Sequence, residues 1–87
     1  MDSDFRFLGE PDRELALGVL SRRNSALSTR IREESSISRS DAAEIINTLS
    51  DEISDNLDVD WEPTDYGRHI SQILAKINAI RIAEWPQ

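Results

Sequence analysis

From Thr64 to Trp85, Tyr66, Ile70, Ile73, Ile77 and Ile80 recur at three- and four-residue steps, a spacing that stacks them along one side of an α-helix. A single helix with one apolar stripe is marginal in water, so the rest of the chain has to supply complementary faces. Two further runs do so. Residues 11–34 carry Leu17, Leu20, Leu27 and Ile31, and residues 41–57 carry Ala42, Ile46, Leu49, Ile53 and Leu57 opposite a polar side of Asp41, Glu44, Thr48, Asp51 and Asp55.

The punctuation agrees with three runs. Pro11 suits a helix start, with Asp12 and Glu14 placing negative charge in the first turn. Asn24, with Ser21 and Ser25 beside it, interrupts the first stripe, so residues 11–34 form either one helix with a polar core position or two short helices meeting near Arg23 to Ser25; the break is the preferred reading. Ser35-Ser36-Ile37-Ser38 is a turn, after which Ser40 or Asp41 can cap the next helix, with Glu44 three residues beyond Asp41. Asp58 to Pro63 reads as a loop, Thr64 as the cap of the last helix and Pro86 as its stop. Ahead of all this, Phe5-Arg6-Phe7-Leu8 alternates over too few residues to stand as a strand.

These elements predict an all-α fold, a small bundle of three or four helices, with residues 1–10 as a short N-terminal arm laying its phenylalanines on the core and residues 11–87 as one helical domain. Phe5, Phe7, Ile82 and Trp85 fall off the main stripes, which predicts a homodimer with the arm and the last helix at its contact.

Charge changes the picture more by its placement than by its sum of −7. Residues 41–65 hold nine acidic side chains and no basic one, whereas residues 20–40 hold five arginines and two glutamates. An acidic total weighs against nucleic acid and anionic membranes as partners and favours a basic protein. The chain has no cysteine, which excludes disulfides and thiolate catalysis and fits a reducing compartment. The longest apolar run, Leu15 to Leu20, is broken by Gly18, too short for a membrane span or a leader, so the expected location is the cytoplasm.

Candidate chemistry is sparse. Asp55, Asp58, Asp60, Glu62 and Asp65 crowd carboxylates together, but a calcium loop starting at Asp58 would need glycine at Pro63 and glutamate at His69. His69 is the single histidine, and Asp65 lies one helical turn before it, a spacing ordinary for a surface pair. Three scattered glycines make no phosphate loop. A catalytic role, a metal and a cofactor are therefore not expected.

The segment Arg30 to Leu49, a helix, a serine-rich turn and a helix opening Ser38-Arg39-Ser40-Asp41-Ala42-Ala43, resembles a DNA-binding helix-turn-helix. The stretch through Leu57 is similar in rhythm to the helical hairpin that opens the histone-like DNA-bending proteins. The resemblance implies DNA binding through the arginines of residues 22–39, although the second helix would then present Asp41, Glu44, Asp51 and Glu52 to phosphates. The reading that fits the charge pattern better is a non-catalytic interaction protein, of the kind that immunity proteins, antitoxins and inhibitors represent, meeting a basic partner through Asp51, Asp55, Asp58, Asp60, Trp61 and Glu62. The same acids could instead neutralise the chain's own arginines across the bundle.

Overall fold

The computed structural model describes residues 1–34, 36–57, 59–62 and 64–86. Ser35 of the expected turn, Asp58 of the expected loop and Pro63 before the last helix lie outside the described residues. Among the described residues there are four α-helices and no strand: α1 (Asp12–Arg23), α2 (Ser25–Glu33), α3 (Arg39–Ser54) and α4 (Asp65–Glu84).

The first run is broken as its pattern predicts. Asn24 leaves helical geometry at φ −148°, and its side chain accepts a hydrogen bond from the Leu27 amide at 3.1 Å, so it ends α1 and caps α2. Asn24→Ala is expected to cost about 1 kcal/mol, read as a lower midpoint in urea. Thr64 caps α4 as expected, accepting from the Gly67 amide at 3.1 Å. The cap of α3 is Ser38 rather than the Ser40 or Asp41 expected from sequence, with its hydroxyl accepting from the Asp41 amide at 3.1 Å.

The longest helices, α3 and α4, make the most extensive pair; α1 packs on both and on α2. Leu20, Leu27, Ile31, Ile45, Leu49, Ile70, Ile73 and Ile77 fill the centre, all with essentially no exposure. In α4 the predicted stripe holds, with Tyr66 and Ile80 half-buried at its ends. In α1 the buried residues are Ala16, Val19 and Leu20, and Leu17 is only half-buried.

Two expectations change. The inward side of α3 is turned by about one position: Asp41, Ala42, Ile45, Thr48, Leu49 and Glu52 are buried, while Ile46 and Ile53 are only half-buried. The helix also stops at Ser54 rather than Leu57. The physical reason is tertiary, because Asp41 and Glu52 find guanidinium partners on α1 and α2 that repay their burial.

The short N-terminal arm lies on the core as expected. Phe5 is fully buried and Leu8 and Met1 nearly so; Phe5 and Phe7 meet edge to face with ring centroids 5.9 Å apart. Residues Arg6–Leu8 form a 3-10 turn, the Ile37 amide donates to the Met1 carbonyl at 2.7 Å, and the Met1 ammonium pairs with Glu84 on α4. Phe5 is thus satisfied within the chain, and Phe7 is half-buried against the core.

Candidate functional site

A large share of the acidic flank faces inward, onto the chain's own arginines. Glu52, 2% exposed, accepts from Arg23 Nε at 2.6 Å, Arg22 Nη2 at 3.0 Å and the Tyr66 hydroxyl at 2.5 Å. Burial alone would raise its pKa, but the hydrogen bonds from Tyr66, Arg23 and Arg22 outweigh that and bring it down to about 2. Arg23 also pairs with Asp55, and Arg30 bridges Asp41 at 2.8 Å and Glu44 at 3.2 Å. Three of the five arginines that a DNA-binding reading would use are therefore engaged with α3 carboxylates, while Arg32 and Arg39 are exposed.

His69 is held by a different acid from the one its sequence neighbourhood suggests. Its Nε2 lies 2.6 Å from Asp12 Oδ1 and Lys76 Nζ lies 3.0 Å from Asp12 Oδ2, joining the start of α1 to α4. The hydrogen bonds from His69 and then Lys76 hold the Asp12 carboxyl below the usual carboxylate range. Asp65 instead lies 3.5 Å from Arg68. Among the described residues no three histidine, aspartate or glutamate side chains gather as a metal site would need.

Of the six predicted contact residues, Asp51 is exposed on the last turns of α3 and Asp55 ends that helix with its carboxylate on Arg23. Asp58 is outside the described residues. Asp60, Trp61 and Glu62 share the α3–α4 loop and are exposed. The loop is drawn together at its base: the Thr64 amide donates to the Asn56 carbonyl at 3.2 Å, and Asn56 Nδ2 donates to the Glu52 carbonyl at 2.7 Å.

Its tip is the least satisfied apolar surface described. Trp61 is 81% and Val59 94% exposed, and Trp61 sits in the left-handed backbone region at φ +63°. An aromatic residue in that region is strained by roughly 1 to 2 kcal/mol, and burial of its ring in the bundle does not offset the cost. Sequence reasoning missed Val59, taking it only as part of the loop from Asp58 to Pro63; the signal was its position two residues from Trp61, between acids.

The fold places the protein among small all-α bundles, and among the described residues no helix is long and apolar enough to cross a membrane. Comparisons with protein-family models, with curated proteins and with solved structures find no match.

Proposed function

We propose that this is a cytoplasmic, non-catalytic protein-interaction module whose α3–α4 loop docks on a basic protein surface, as an immunity protein, antitoxin or inhibitor would. The observation that carries the reading is the strained, exposed Trp61 beside exposed Val59, in a stretch that holds nine acidic side chains and no basic one. An aromatic anchor with an acidic rim is suited to a pocket edged by lysine and arginine. The contact centres on the tip, where Val59 and Trp61 are exposed.

Trp61→Gly separates binding from folding. Glycine accepts the left-handed backbone without strain, so stability is expected to stay within about 1 kcal/mol of the parent. Affinity for the partner is expected to fall by at least about tenfold, as loss of a central aromatic anchor does. Affinity capture from the source cell with the two chains side by side checks this: a partner retained equally by both would refute the loop as the contact.

A further inference from the structure

Resting on that reading of the loop, we propose that the basic surface it docks on belongs to a second copy of this chain, namely the outer face of α4, in a two-fold antiparallel dimer. Three large apolar side chains are exposed among the described residues, Val59, Trp61 and Ile82. The first two stand just before α4 and the third near its end, so one chain cannot cover them with each other: Asp65 to Ile82 spans about 26 Å of helix. A second copy running the other way can, because an antiparallel pairing brings each loop to the far end of its partner's helix.

Charge favours the same arrangement. All seventeen acidic side chains lie outside residues 66–83, while that stretch contains Arg68, Lys76 and Arg81. The outer face of α4 exposes Arg68, Ser71, Gln72, Ala75 and Lys76 and carries no acid of its own between its ends; the carboxylates that reach it are Asp12 at Lys76 and Asp65 at Arg68. The small side chains at Ser71 and Ala75 leave room for close approach of two helices.

The register is consistent with a two-fold axis, which requires that if residue i meets residue j, then j meets i. Along α4 the midpoint of Asp65 and Lys76 falls between Ile70 and Ser71. One axis near Ser71 therefore sets Asp65 against the partner's Lys76 and brings the loop ahead of α4, which carries Trp61, to the end of the partner's helix that carries Ile82. The Asp65 side chain is fully exposed, and Lys76, half exposed, keeps donors beyond the one that Asp12 takes.

Sedimentation equilibrium on the full chain, with circular dichroism to confirm helical content, tests the proposal. A dimer mass is expected, with Trp61→Gly and Ile82→Glu each weakening association by at least about tenfold. Asp65→Lys and Lys76→Asp are each expected to weaken it, and the two together in one chain to restore it, an outcome that a merely misfolded variant cannot give. A dimer that survives Trp61→Gly, or a double charge exchange that fails to restore association, overturns the inference. A monomer at hundreds of micromolar overturns it too. If that monomer still captures a partner that Trp61→Gly loses, the loop's docking role stands without the second copy; if capture is equal, both fall.

Discussion

Phe5→Ala is expected to destabilise the protein by about 4 kcal/mol, the largest effect of any single truncation considered. Phe5 is fully enclosed by the bundle and braced edge to face by Phe7, so its removal leaves a cavity rather than a surface that water can refill. A domain of this length holds only about 5 to 10 kcal/mol in total, so the variant sits near the edge of folding. Urea denaturation followed by circular dichroism measures the loss. If the midpoint falls by no more than a surface substitution would lower it, the N-terminal segment is not part of the core.

The second large effect belongs to Glu52. Glu52→Ala removes one carboxylate and leaves the Tyr66 hydroxyl and two guanidinium groups without their shared acceptor. Truncating one member of a buried ion pair costs about 3 to 5 kcal/mol; here the lower end applies, because Arg22 is well exposed and can turn to water. The same carboxylate makes stability depend on acid. Its pKa falls from an ordinary 4.5 to about 2 on folding, so between those values the unfolded chain binds a proton that the folded chain does not. The stabilisation is complete above about pH 5 and is lost as the pH drops from there toward 2, an amount of about 3 kcal/mol. Asp12, also lowered, acts in the same direction. In Glu52→Ala this part of the acid sensitivity disappears, and midpoints measured at a series of pH values from neutral to strongly acidic will show the flatter profile.

Much of the fold was legible because periodicity and caps are local. The spacing of Ile70, Ile73 and Ile77 sufficed to place α4, Thr64 announced its cap by residue type, and Asn24 marked the break between α1 and α2. What was hidden depended on partners distant in sequence. Glu52 reads as a surface acid until Arg23, twenty-nine positions earlier, is placed beside it, and that partnership decides which side of α3 turns inward over Ile46 and Ile53. Phe5 was expected on the core as part of the arm, but without periodic context its complete burial was not legible. At the candidate site, residue type left open whether Trp61 would cover one end of the bundle or stand out from it, and in the structure Asp60, Trp61 and Glu62 are exposed. The engagement of Asp55 by Arg23 was legible only as the general alternative that these acids neutralise the chain's own arginines, without the pairing itself.

The knot of Arg22, Arg23, Glu52 and Tyr66 ties three helices through a single acceptor, and that constrains how the sequence can drift. Losing the carboxylate alone strands its donors, whereas exchanging the whole group for well-packed hydrocarbon is nearly neutral. Intermediates on that route are the unstable ones, so substitutions at the four positions are expected to be strongly non-additive.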